Sequence, residues 1–77
     1  MIKVLQITGF YPTTDKFGNN QWQIDGVAFE RNKNYTGFPT KRMWIRRDVI
    51  AFTEADVKKT LWVEYNERGN VVKAEVK

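Results

Sequence analysis

The chain contains no cysteine and no histidine. A disulfide-stabilised scaffold and a zinc site are therefore excluded, because both depend on these residues. The same absence removes the most common nucleophile and general base of enzymes and leaves only scattered carboxylates. No glycine-rich phosphate-binding motif is present either. We expect a protein that is not an enzyme and that holds no metal or cofactor.

Long apolar runs are also missing. No segment approaches the roughly 20 apolar residues of a membrane-spanning helix, and the opening "MIKVLQITGF" is too short and too polar for a secretory signal. We therefore expect a cytoplasmic protein that does not bind a membrane. A length of 77 residues leaves room for one domain with a modest core. Residues 1–77 are interpreted as a single small β-barrel domain.

Positive charge is concentrated in one region. The whole chain carries a net charge of +4, and residues 31–47 hold six basic side chains and no acidic one. Three aromatic residues, Tyr35, Phe38 and Trp44, lie in the same segment. A basic segment alone is most often a solvated surface, whereas basic residues interleaved with aromatic ones are typical of nucleic-acid-binding surfaces.

An alternation of apolar and polar residues with a period near two predicts β-strands along most of the chain. The first strand has apolar residues on both faces, which predicts a curved strand in a closed barrel. Gly26 predicts a bulge or a bend in the second strand, and Trp22 is interpreted as a core residue there. The expected segments are strands at residues 2–11, 21–29 and 41–52, a short helix at 53–59 and a two-stranded hairpin at 60–76.

The N-terminus of the short helix is marked by capping residues. Thr53 and Asp56 stand at the positions of reciprocal caps. Because a helix of one or two turns does not form alone, we expect Ala55 and Val57 to pack against the core.

The alternation of apolar and polar residues also predicts which side chains of the hairpin face the core. Trp62 and Glu64 are expected to face outward. The side chains expected to face the core are Leu61, Val63 and Tyr65 on one strand and Val72, Ala74 and Val76 on the other.

These elements follow one another in the order β-β-β-α-β-β, which is the order of the oligonucleotide-binding (OB) fold, a five-stranded and partly closed barrel. We therefore predict an all-β protein with a five-stranded OB-like small barrel. An SH3-like barrel is the alternative, although its helical turn usually precedes the last strand. In element order, size and charge the chain resembles the small single-stranded DNA-binding proteins of phages and mobile elements. The resemblance implies strand coating during DNA replication or transfer, often by a dimer.

The segment "KRMWIRR", residues 41–47, is the main candidate site. Alternate residues of a strand share a face and lie about 7 Å apart, so Arg42, Trp44 and Arg46 are predicted to project together. A base could stack on the indole while the guanidinium groups pair with flanking phosphates. The alternative is that Trp44 is a core residue with Met43 and Ile45 outward.

Two loops add further candidates for nucleic-acid binding. The long loop before the third strand carries Tyr35 and Phe38, and Phe38 could instead plug the end of the barrel. The tip of the first loop carries a cation-aromatic pair that could close over a bound strand. The candidate residues besides those on the third strand are Arg31, Lys33, Tyr35, Phe38 and Lys41, and Lys16 and Phe17 in the first loop.

The sequence thus predicts a protein that binds single-stranded DNA, with RNA as the alternative nucleic acid, without sequence specificity. The alternative function is a small protein-interaction module, a phage or mobile-element adaptor or inhibitor, because tryptophan, tyrosine and arginine also dominate protein interfaces. A homodimer is a possible assembly, with the last strand as a candidate edge for pairing.

Overall fold

The computed structural model describes residues 1–30 and 33–77. Five antiparallel strands form one sheet in the order β3-β2-β1-β4-β5. The elements are β1 (Ile2–Thr14), β2 (Asn20–Ala28), β3 (Thr40–Arg46), a 3-10 turn (Glu54–Asp56), β4 (Thr60–Tyr65) and β5 (Val71–Val76). The prediction of a small, mainly β protein with five strands is confirmed.

The sheet is not closed, so the expectation of a closed barrel is wrong. Within the described residues, β3 and β5 are the two edges and do not pair with each other. The third strand ends at Arg46 rather than at residue 52, because a turn closed by the Val49 N–H donating to the Arg46 carbonyl oxygen (3.1 Å) redirects the chain. The shortened strand leaves its outer edge without a partner. Across the described segments, no helix has the length and apolar composition needed to cross a bilayer.

One side of the sheet carries the core, to which all five strands and the segment after β3 contribute, with β5 adding only partly buried side chains. Its buried cluster consists of Leu5, Ile7, Ile24, Ile45, Phe52, Leu61 and Val63. Trp22 packs beside this cluster, edge-to-face on Phe10 and on Phe52, and its indole N–H donates to the Ile50 carbonyl oxygen at 2.9 Å. The interpretation of Trp22 as a core residue is confirmed.

A β-bulge explains why β1 has apolar residues on both of its faces. The register with β2 shifts between Ile7 and Gly9, so that Phe10 joins the face of Leu5 and Ile7 instead of the opposite one. Phe10 packs against the core, whereas Ile2, assigned by simple alternation to the same face as Phe10, is exposed. The bulge predicted at Gly26 therefore lies on the neighbouring strand.

Gly26 has a different role, which is to let β1 and β2 approach closely. It pairs with Ile7, and a Cβ atom at this position would meet the Leu5 side chain and lie 2.5 Å from the carbonyl oxygen of Gln6. No side chain larger than hydrogen fits there without a shift of the backbone.

The segment after β3 forms one 3-10 turn rather than a longer helix. The Thr53 N–H donates to Asp56 Oδ2 at 2.8 Å, as the predicted capping arrangement requires. The expected packing through Ala55 and Val57 is wrong, since both are exposed. The buried Phe52, just before the turn, anchors the segment instead.

The β4–β5 hairpin confirms most of the predicted register. Trp62 faces outward, Val63 pairs with Ala74, and Leu61 pairs with Val76. The register then shifts between Glu64 and Tyr65, which pairs Tyr65 with Val71. This bulge leaves Val72 as an extra residue that is 53% exposed, so its assignment to the core is wrong.

Candidate nucleic-acid interface

The side of β1, β2 and β3 opposite the core, here called the outer face, brings together the main candidate residues. In the register of the sheet, Trp44 stands across from Gln23, which stands across from Tyr11. Arg42 and Arg46, two residues to either side of Trp44, share its face because side chains of a strand alternate. Trp44 is 51% exposed. The predicted geometry of Arg42, Trp44 and Arg46 is confirmed, and the alternative with Trp44 in the core is excluded.

Tyr11 completes a row of aromatic and amide groups across the outer face. Its side chain is exposed to the same degree as that of Trp44, at 52%, and its hydroxyl donates to Gln23 Oε1 at 3.0 Å. Gln23 itself is only 8% exposed. Because neighbouring strands lie about 4.8 Å apart, Tyr11 and Trp44 are separated by about 10 Å across the intervening β2. The outer face thus presents two aromatic side chains with a buried amide between them.

Both arginines that flank Trp44 are engaged in ion pairs. Arg42 Nε lies 2.8 Å from Asp25 Oδ1, and this hydrogen bond together with the charge of Asp25 raises the pKa of Arg42 above its ordinary value. Arg46 Nη2 lies 2.6 Å from Asp48 Oδ2. All four side chains are well exposed, and ion pairs of this kind stabilise a fold little and exchange partners readily. The outer face is an ion-paired surface rather than a bare cationic one.

Lys41 does not join this group. It pairs with Gly26, which places it on the core side of the sheet at the open edge. There it borders a small cavity of about 110 Å³ together with Lys3 and Tyr65. Its position next to Arg42 in the sequence therefore does not bring it to the outer face.

The long loop between β2 and β3 lies beyond the Arg42 end of the outer face. Tyr35 and Lys33 are exposed, and Phe38 packs edge-to-face on Phe29 with 6.1 Å between ring centroids. Both phenylalanines remain about half exposed, so the alternative in which Phe38 plugs a barrel end is wrong. Arg31, also predicted to belong to the site, lies outside the described residues.

The β1–β2 turn lies beyond the opposite, Arg46 end of the outer face. Phe17 is 77% exposed at its tip, and Lys16 Nζ lies 5.2 Å from the centroid of that ring. The predicted cation-aromatic pair is therefore present. The β2–β3 loop and the β1–β2 turn thus lie at opposite ends of the outer face.

A network of hydrogen bonds holds the β1–β2 turn in place. The Asp15 carboxylate accepts the backbone N–H groups of Phe17 (2.8 Å) and Asn19 (2.9 Å), and Gly18 takes a positive φ of 83°. These bonds, led by the one from the Asn19 backbone, lower the pKa of Asp15 below its ordinary value of 3.8. The β4–β5 turn repeats the arrangement, with the Asn66 side-chain oxygen accepting from the backbone N–H groups of residues 68 and 70.

Asp15→Ala is expected to destabilise the protein more at neutral pH than in strong acid. The pKa of Asp15 is lower in the folded chain than in the unfolded one, so its stabilisation is present above the ordinary pKa and is lost as the pH falls through the lowered value. Asp15→Asn is the matched control, because the amide of Asn66 makes the same two bonds in the other turn. Urea midpoints between pH 2 and pH 7 measure the difference, and a pH-independent loss in Asp15→Ala would contradict it.

A cleft of about 460 Å³ lies between the two open edges of the sheet. It is bordered by Trp44 and Arg46 on β3 and by Tyr65 and Asn70 around the β4–β5 turn. Trp44 therefore borders both the outer face and this cleft. A ligand that crosses the outer face can continue over the edge of β3 into the space beside the hairpin.

Sequence reasoning missed Tyr11 as part of the site. Simple alternation from Ile2 assigns Tyr11 to the face of Leu5 and Ile7, and the bulge before Gly9 reverses this assignment. The signal that could have identified it is Gly9 itself, because a glycine inside a strand often marks a bulge.

No family model, curated protein or solved structure matches the chain. In the part of the chain that the structure describes, there is also no group of three or more acidic side chains placed to hold a metal ion.

Proposed function

We propose that the protein binds single-stranded nucleic acid, preferentially single-stranded DNA, without sequence specificity. The observation that carries the proposal is the row of Tyr11 and Trp44 on the outer face, with Arg42 and Arg46 on either side of the indole. Stacking on aromatic rings combined with phosphate contacts is the general mode of binding to single strands.

In this mechanism, successive bases stack on Trp44 and Tyr11 while phosphates replace Asp25 and Asp48 as partners of the two arginines. The guanidinium groups are already ordered by those carboxylates on the side of the sheet that carries the ring, so the exchange needs little reorganisation. Base stacking contributes about 1–3 kcal/mol per base and does not depend on the base. The one amide between the rings, Gln23, is buried and bonded to Tyr11, which leaves it unsuited to reading base edges.

The architecture supports an OB-like assignment as part of the proposal. A single antiparallel sheet in the order β3-β2-β1-β4-β5 is the arrangement of an OB barrel that is open between β3 and β5. The 3-10 turn lies between β3 and β4, as the OB order requires, and not before the last strand as in an SH3-like barrel. In OB folds the ligand lies on strands 2 and 3 and near the β1–β2 and β4–β5 loops, which corresponds to the outer face and the cleft.

A salt titration tests the proposal. Quenching of tryptophan fluorescence by oligo-dT is expected at low salt, and two neutralised phosphates predict a slope of log K against log salt of about −1.4, since each contributes about −0.7 on single strands. Arg46→Ala is expected to make that slope less negative by about 0.7, because one phosphate contact is lost. Lys41→Ala, which removes a cation on the core side of the sheet, is the matched control and should leave the slope unchanged.

A protein-interaction surface is the second candidate function, and the ion pairs of Arg42 and Arg46 favour it. A surface of tryptophan, tyrosine and arginine whose charges are already balanced has the composition of a protein hot spot. Absence of quenching by oligo-dT and by oligo-U at low salt would contradict nucleic-acid binding and favour this second function.

A further inference from the structure

The edge of β5 presents free backbone groups at defined positions. Thr60 and Lys77 exchange two backbone hydrogen bonds, of 3.2 and 2.8 Å. Because hydrogen-bonded and non-hydrogen-bonded pairs alternate in an antiparallel ladder, Glu75 also directs its backbone groups toward β4, and Ala74 and Val76 direct theirs away from it. Within the described residues, β5 pairs with β4 alone.

The side chains of β5 are self-complementary about its centre. Lys73 and Glu75 lie on the outward side, across from Glu64 and Trp62 of β4. If a second copy of β5 pairs antiparallel with a two-fold axis at Ala74, Lys73 of each protomer faces the partner's Glu75. Opposite charges that face each other across strands stabilise a sheet, whereas like charges destabilise it.

Other registers lack this complementarity. A two-fold axis at Glu75 would place Glu75 against the partner's Glu75 and Lys73 against the partner's Lys77. An axis at Lys73 would place two lysines face to face. The other edge strand in the described residues, β3, carries charged side chains of one sign only, at Lys41, Arg42 and Arg46, so no register pairs opposite charges of two β3 strands.

We propose that the protein forms a homodimer through β5, with a two-fold axis at Ala74 that joins the two sheets into one of ten strands. In this register the backbone groups that point away from β4 at Ala74 meet those of the partner's Ala74, and those of Val76 lie beside the bulge at the partner's Val72. The charged pairs then fall on non-hydrogen-bonded positions, where side chains lie closest. The pairing also covers Val72, which is 53% exposed in the single chain. This proposal does not depend on nucleic-acid binding.

Charge reversal on the full chain tests the interface. Sedimentation of the wild type is expected to give a dimer of the 9.1 kDa chain. Lys73→Glu and Glu75→Lys each replace two opposite-charge pairs by two like-charge pairs, so each variant alone should dimerise about tenfold more weakly or worse. Mixed together, the two variants should form a heterodimer, because every glutamate then faces a lysine. Circular dichroism checks that each variant is folded.

Cysteine cross-linking tests the register. The chain contains no cysteine, so one introduced thiol can react only with its copy. Two Ala74→Cys protomers would hold their Cα atoms about 5.5 Å apart, within the range of a disulfide. Val72→Cys is the control, because Val72 is exposed but would lie about 14 Å from its copy. Oxidation should cross-link Ala74→Cys and not Val72→Cys.

Three results would overturn the proposal. The first is a wild type that is monomeric at the highest attainable concentration. The second is a dimer that neither charge reversal weakens, and the third is preferential cross-linking of Val72→Cys over Ala74→Cys.

Discussion

Replacing Trp44 by alanine is expected to lower the affinity for oligo-dT by about 5- to 150-fold, which corresponds to the 1–3 kcal/mol of one stacked base. The loss should be the same for every base composition, because stacking does not read base edges. Trp44 is half exposed and outside the core cluster, so the free energy of unfolding should change little. Fluorescence anisotropy of a labelled oligonucleotide measures the effect without relying on tryptophan emission.

Trp62→Ala is the matched control for this experiment. Trp62 is also an outward tryptophan beside a cation, with Lys77 Nζ 4.6 Å from its ring, but it lies on β4, away from the outer face. Its replacement should leave the affinity unchanged. An equal loss in both variants, or a strong preference of the wild type for one oligonucleotide sequence, would contradict the proposed site.

Gly26→Ala is expected to destabilise the protein more than alanine at any other of its glycines. The new Cβ would meet the Leu5 side chain and the Gln6 carbonyl oxygen, and the second contact is with backbone that cannot rotate away. Overpacking of this kind costs about 1–3 kcal/mol and occasionally more. A domain of this size has a free energy of unfolding of about 4–11 kcal/mol, so the loss is a substantial fraction of the total. Urea unfolding followed by circular dichroism measures it.

Gly9→Ala provides the comparison on the neighbouring strand. No atom lies within 4 Å of a Cβ built at Gly9, so alanine fits there. The substitution should be neutral or stabilise by about 0.4–1 kcal/mol, because alanine restricts the unfolded chain more than glycine does. Equal unfolding midpoints for Gly26→Ala and Gly9→Ala would show that the close approach of β1 and β2 at Gly26 is not rigid.

The strands and the outward position of Trp44 could be predicted from the sequence because both depend on a local, two-residue alternation. The same reasoning failed at residues 8–10, where one extra residue in β1 moves Phe10 into the core and Tyr11 onto the outer face. Alternation carries no information across a bulge, since every residue beyond it changes sides. The missing closure of the sheet has a similar origin, because a turn after Arg46 interrupts a pattern that otherwise continues.

The electrostatics of the site could not be predicted from the sequence. The segment from residue 31 to 47 contains no acidic residue, which suggested an unpaired basic surface. Asp25 reaches Arg42 only because β2 and β3 pair in one register, and Asp48 lies just outside the segment. Charge counted along the chain is therefore a poor guide to charge on a sheet, where half of the neighbours come from another strand.

The two hairpin turns, residues 15–19 and 66–70, share one pattern of hydrogen bonds. Each begins with a side-chain oxygen that accepts two backbone N–H groups, and each has glycine at the fourth position with a positive φ. The side chains of the second and third residues of each turn take no part in this bonding, since the third residue contributes only its backbone N–H. The side chains at the turn tips can therefore vary in chemistry while the hydrogen-bonded turn backbone keeps its conformation. These side chains are Lys16 and Phe17 in one turn and Glu67 and Arg68 in the other. Substitutions at the tips of the two hairpins can thus change the surfaces that the hairpins present without altering the sheet that carries them.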